Sequence, residues 1–281
     1  MPKPPRQKTL ALADLRREID RIDEAMHELL LERGEIIDTL IAVKNTQEVG
    51  SAFRPAREAD MMRRLVKRHR GNLPLDTAES IWRVIISTFT YVQAPFSVHA
   101  DVSVGESMMR DSARFHFGFT VPYVSHLNAP AAVEAVAKSK GDLALLSATS
   151  SRTPWWIALE AHGAPKIIAR LPFVERADHP AALPVFVVSR VADSAMVTEV
   201  EMWSVRVSGW NAETARALSP MAEILAVPDT AFDGAALLVS VTSETSLENI
   251  KAALIEAGAS VRSSALVGSH ATRYTVPNAA K

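Results

Sequence analysis

The sequence contains no cysteine. Disulfides, thiolate metal sites and cysteine nucleophiles are therefore excluded, and a reducing compartment fits. Neither sign of charge is in excess, with 31 Lys and Arg against 32 Asp and Glu. No global field points to a nucleic-acid or membrane partner. No apolar run reaches the roughly 18 residues that a membrane helix needs. The start, "MPKPPRQKTLALADLRREID", lacks the apolar core of a signal peptide. The histidines lie singly, so no metal site and no cofactor is expected. What is present is an ordinary globular composition, 48% hydrophobic and 22% charged over 281 residues. That length suffices for two domains with separate cores. These features together predict a cytoplasmic protein.

Apolar residues recur at Leu12, Leu15, Ile19, Ile22, Met26, Leu29, Ile36, Leu40 and Val43, in steps of three and four. With charge on the other faces and no internal proline, this predicts one long helix from 9 to about 46. Such a helix would be on the order of 55 Å long, too long for one small domain to cover. Its stripe asks for a second copy or a long partner. "RPAREADMMRRLVKRH" predicts a second helix with Pro55 in its first turn. Asp76 with Glu79 resembles a capping box opening a third, "TAESIWRVIISTFTYVQ". "APFSVHADVS" is the exit. The basic run 63–70, "RRLVKRHR", contains Leu65 and Val66 and is read as a solvated helix face, not a nucleic-acid patch.

Beyond about residue 97, short β-type runs alternate with helical patterns, which predicts an α/β domain. The expected strands include "RFHFGF" (114–119), "DLALLS", "PVFVVSR", "EMWSVRVS", "AEILAVP" and "TRYTV". The clearest unit is a strand at 235–241, a helix capped by Thr245 and Glu248 and ended by Gly258, and a strand at 260–267. The expected fold class is thus α plus α/β.

Arg33 occupies the one missing place in the long stripe. Lys44 follows eleven residues later, and eleven steps of about 100° return to within roughly 20° of the same direction. Both cations lie on one rail, with no acidic residue on it between them. Buried cations need anions, from a neighbouring helix or from a ligand. Arg16 is about a quarter turn away from Arg33. In an antiparallel pair of long helices, however, it would pass near the middle of the partner.

The succession "LRREIDRIDEAMHELLLER", Lys44, "RPARE" and a helix ending in "YVQ" resembles the all-helical class of chorismate mutases. The resemblance covers 9–95 and implies an intertwined homodimer of three-helix chains that rearranges chorismate to prephenate, in phenylalanine and tyrosine biosynthesis. It implies that Arg33 and the partner subunit's Arg16 take the substrate carboxylates, with Arg57 in support. Lys44 and Gln93 would donate to the ether oxygen, and Glu58 would bind the ring hydroxyl. Two positions depart from the family's pattern: Arg54, where an acidic or small residue is common, and Phe89, where a small hydroxyl residue is common.

Residues 97–281 resemble, faintly, a degenerate prephenate dehydratase, and the part from about 195 to 281 resembles a ligand-sensing ACT module. The dehydratase chemistry is missing. "SATS" (147–150) has no acid or amide, and Leu183-Pro184-Val185 stands where threonine and arginine would be. The leading expectation is a chorismate mutase. The alternatives are a non-catalytic dimeric regulator sensing an aromatic amino acid, and a bifunctional mutase–dehydratase.

Overall fold

The computed structural model describes residues 11–44, 52–181, 183–190, 198–229 and 234–276. The chain divides into two compact units, Met1–Glu48 and Val49–Lys281.

The described part of the first unit is the helix α1 (Leu12–Lys44). Its 33 residues span about 50 Å. The expected ends at 9 and 46 lie outside the described residues. Short ion pairs between neighbouring turns, Arg17 with Asp14 and Arg21 with Glu18 (2.6 Å), line its polar side. Most of the apolar stripe is exposed on the single chain, from 43% at Ile22 to 67% at Val43, with Leu40 half-buried.

The second unit opens with α2 (Pro55–Arg68) and α3 (Leu75–Gln93). Pro55 starts α2, where its missing N–H costs nothing. The face formed by Pro55, Glu58, Ala59, Met62 and Leu65 turns inward at helical spacing. At α3 the expected capping box is corrected. Pro74 precedes the helix without a side-chain cap, and Asp76 already lies in the first turn. The carboxylates of Asp76 and Glu79 instead both meet Arg176, Glu79 at 2.8 Å. A guanidinium that is 8% exposed takes the two acids away from the helix end.

The remaining elements are β1 (Val98–Asp101), α4 (Glu106–Phe117), β2 (Tyr123–His126), α5 (Ala129–Ala137), β3 (Leu143–Ser147), a 3-10 turn at Trp155–Leu159, β4 (Lys166–Leu171) and β5 (Val174–Glu175). Then come β6 (Val185–Ser189), β7 (Val200–Ser208), α6 (Ala212–Leu218), β8 (Ile224–Asp229), β9 (Gly234–Thr242), α7 (Leu247–Glu256), β10 (Ser260–His270) and β11 (Tyr274–Thr275). Nine strands form one mixed sheet in the order β2-β1-β3-β6-β4-β10-β7-β9-β8. A fold of N-terminal helices followed by a mixed α/β sheet agrees with the class expected.

Side chains alternate across the sheet. Leu143, Leu145, Val185 and Val187 face a core shared with α2, α3 and α4. Ala144, Leu146, Phe186 and Val188 face α5 and the buried pair Trp155–Trp156. The second and third helices thus share a hydrophobic core with the sheet. From β7 to β10 the chain runs βαββαβ, with strands ordered β10-β7-β9-β8, a split-βαβ arrangement closed by α6 and α7.

The two parts of the sheet meet at one point, where Gly268 of β10 pairs with Ile167 of β4. A Cβ at Gly268 would lie 2.2 Å from the Ile167 carbonyl oxygen, and φ is +149°. Only glycine fits such an approach.

Four local expectations are corrected. Residues 114–119 do not form a strand but complete α4 and its C-cap. Met109, Ser112, Ala113, His116 and Phe117 are buried at helical spacing, and that burial outweighs the period-two look of six residues. The segment read as an exit contains β1, and Ser246 caps α7 in place of Thr245, accepting from the Asn249 N–H at 3.2 Å. "TRYTV" is a strand only at Tyr274–Thr275.

Candidate functional site

On α1, Arg16 is exposed and Arg33 half-buried. Lys44 is the helix's last residue, and its side chain lies outside the described residues. Along the axis Arg33 and Lys44 are about 16 Å apart, on the same side. The continuous helix from Leu12 to Lys44 supplies the spacing that the rail requires.

In the second unit the adjacent Arg57 and Glu58 diverge, as neighbours on a helix must. Arg57 points to solvent, while Glu58 is buried. The Glu58 carboxylate accepts from Nη1 of Arg83 at 2.6 Å. Nη2 of the same guanidinium donates to the His116 carbonyl of α4 at 3.1 Å. Arg83 is fully buried beneath Phe173, its guanidinium carbon 5.3 Å from the ring centroid. Burial pushes the Glu58 carboxyl up, and the Arg83 charge pulls it back. His116 is held well below its ordinary value, first by burial and then by Arg83 and His179. Gln93 sits in the last turn of α3, half-buried, its Nε2 donating to the Phe89 carbonyl at 3.0 Å. Arg54 stands immediately before α2 as its N-cap residue.

Arg83 escaped the reading of the sequence, though a signal existed: a single cation inside the apolar run "IWRVIIS". A charge in that setting is solvated or paired, and α3 turns it inward to Glu58.

The segment compared with a dehydratase motif follows β3. There Ser147 Oγ accepts from the backbone of Thr149 and Ser150, both at 3.3 Å, and no acid or amide side chain stands at 147–150. Nearby in the sheet, His99 is held between His126 (2.9 Å) and Asp142 (3.3 Å), one ring nitrogen to each. Burial lowers the pKa of His126. Because both nitrogens of His99 are engaged, these three side chains do not converge on a common point. Among the described residues, no group of three or more His, Asp or Glu could hold a metal ion. No helix among them is long and apolar enough to cross a membrane.

Residues 15–94 match the family model of chorismate mutase type II. That stretch contains Arg16, Arg33, Lys44, Arg57, Glu58 and Gln93, and covers less than a third of the chain. No curated protein and no solved structure matches the chain.

Proposed function

We propose that the helical segment 9–95 is a chorismate mutase that works as an intertwined homodimer, with 97–281 as an appended α/β domain. The observation that carries this is the match over 15–94, which encloses all six expected site residues in order. The reaction is a unimolecular Claisen rearrangement and needs no nucleophile, metal or redox cofactor. The protein must hold a flexible dianion in its compact reactive conformer and stabilise the charge that develops on the ether oxygen.

Arginine forks suit the two carboxylates, and these are assigned to Arg33 and to the partner subunit's Arg16, with Arg57 supporting. Lys44 and Gln93 donate to the ether oxygen. Glu58 takes the ring hydroxyl, sharing its carboxylate with Arg83. The exposed stripe of α1 supports the dimer: it is a long apolar face, interrupted only by Arg33 among the described residues, of the kind two such helices cover in one another. The proposed compartment is the cytoplasm.

Purified full-length protein is expected to deplete chorismate absorbance. Lys44→Ala should lower kcat by about 10²–10³, the usual loss on removing one charge-stabilising donor. The absence of turnover at millimolar chorismate would overturn the proposal.

A second reading is favoured by two observations: the buried Glu58–Arg83 pair and the βαββαβ unit of the sheet. In this reading the helices only dimerise, and the C-terminal part senses an aromatic amino acid. A rise in melting temperature with phenylalanine or tyrosine, without mutase turnover, would select it. Phenylpyruvate formed from prephenate would instead indicate a bifunctional mutase–dehydratase.

A further inference from the structure

The strands β1, β3, β4 and β10 run parallel, and their carboxyl ends share one edge of the sheet. Ligands of open α/β sheets bind at that kind of edge. Here the edge carries two buried guanidinium groups. Arg170, near the end of β4, is 10% exposed and stacks 5.7 Å from the Phe186 ring centroid. Its Nη1 pairs with Glu223, and its Nε is buried without a hydrogen-bond partner. Arg273, just after β10, is 9% exposed; it reaches Glu175 at 2.7 Å and the same Glu223 at 3.9 Å. Burial and the neighbouring Arg170 pull its pKa down. Between them lies His270, 97% buried, whose Nε2 also lacks a partner.

Two guanidinium groups, one of them with an orphan Nε, therefore converge where the acid that meets both, Glu223, is 62% exposed and free to turn outward. The acid has solvent to turn into, whereas Arg170, 10% exposed, would be left uncompensated unless another anion takes the place of Glu223. Against Arg170 opens a cavity of about 630 Å³, walled by Phe186, Met202, Trp210, Leu225 and Leu238. A second, of about 450 Å³, holds Arg273 and His270 and shares Arg170 and Glu223 with the first. An apolar chamber thus adjoins a charged one, in which Arg170 and Arg273 stand among Glu175, Glu223 and Glu244, and convergent polar groups beside apolar walls are the make-up of a small-molecule site.

We propose that this double cavity binds a small carboxylic acid with a hydrophobic body, its carboxylate held by Arg170 and Arg273 in place of Glu223. Planar forks bind a carboxylate in two parallel bonds, and Arg170 Nε supplies a buried donor without a partner of its own. The body of the ligand would lie among Phe186, Met202 and Trp210. The site uses none of the residues assigned to chorismate, so its failure and the failure of the mutase assignment are measured separately.

The test is titration of the full-length protein with 3-phenylpropionate, followed by Trp210 fluorescence and by calorimetry. Two comparison probes divide the ligand: 3-phenylpropan-1-ol keeps the body without the charge, and acetate keeps the charge without the body. The expected result is at least tenfold tighter binding of phenylpropionate than of either. Arg273→Met should weaken it tenfold or more, whereas Glu223→Gln, at an exposed position, should tighten it by removing the competing acid. The fluorescence change should vanish in Trp210→Phe while the heat remains. Equal affinity for the alcohol or for acetate, unchanged affinity in Arg273→Met, weaker binding in Glu223→Gln, or no binding of phenylpropionate would each overturn the proposal.

Discussion

At Glu58 two demands meet on one carboxylate. The resemblance asks it to accept a substrate hydroxyl, and the fold gives it to Arg83 at 2.6 Å in a site closed to water. A buried pair is costly to break from one side, because the remaining charge is left uncompensated. Arg83→Met is therefore expected to destabilise the protein by about 3–5 kcal/mol in urea denaturation. The double variant Arg83→Met with Glu58→Gln should recover a large part of that loss, since it leaves no lone charge. Equal destabilisation in the single and double variants would show that the pair contributes packing alone. The sequence showed the cation inside an apolar run, but not its partner 25 positions earlier, because the pairing depends on how α2 crosses α3.

Among the elements, α1 was the most legible. Its stripe, its cations and its length follow from periodicity alone, and Leu12–Lys44 falls within the expected 9 to 46. The C-terminal βαβ unit was similarly legible, since a Ser/Thr start and Gly258, at φ +89°, punctuate α7. In contrast, α4 was misread from residues 114–119, its last turn and the C-cap beyond, where Phe115, Phe117 and Phe119 happen to alternate. Two predictions belong at this scale. Ile22→Glu combined with Leu29→Glu places charge on the exposed stripe of α1, and sedimentation should show the proposed dimer shifted to monomer. Gly268→Ala forces a methyl into the Ile167 backbone, where β4 and β10 touch. A fall in the denaturation midpoint is expected, together with greater hydrogen exchange along β4 and β10.

For the molecule as a whole, two buried histidines set the acid limit. His270 is lowered to about 4 by burial, and His116 lies well below its ordinary value for the same main reason. Both stay neutral in the fold while the unfolded chain protonates near 6.5, so stability is full above that pH and falls as pH decreases toward 4. His270 contributes a slope of up to about 1.4 kcal/mol per pH unit across that window, and His116 acts in the same direction. Glu58, whose carboxyl is raised by burial, acts in the opposite sense wherever it is protonated in the fold and ionised in the unfolded chain. Urea denaturation at pH 7, 6 and 5 should show the decline, and His270→Gln should make it shallower. An unchanged slope in that variant would assign the acid sensitivity elsewhere.

The sequence by itself determined what depends on near neighbours: the long amphipathic helix, the rail of Arg33 and Lys44, the turn from helices to α/β texture, and the order of residues that matches chorismate mutase type II over 15–94. Those features rest on periodicity and local caps, which a linear string records. Only the tertiary structure decided that the second and third helices share a core with the sheet, that Glu58 faces Arg83, and that Arg170, Glu223 and Arg273 meet at one strand edge. These pairings join residues far apart in the chain, and burial fixes them: a desolvated charge must find its partner wherever packing brings one.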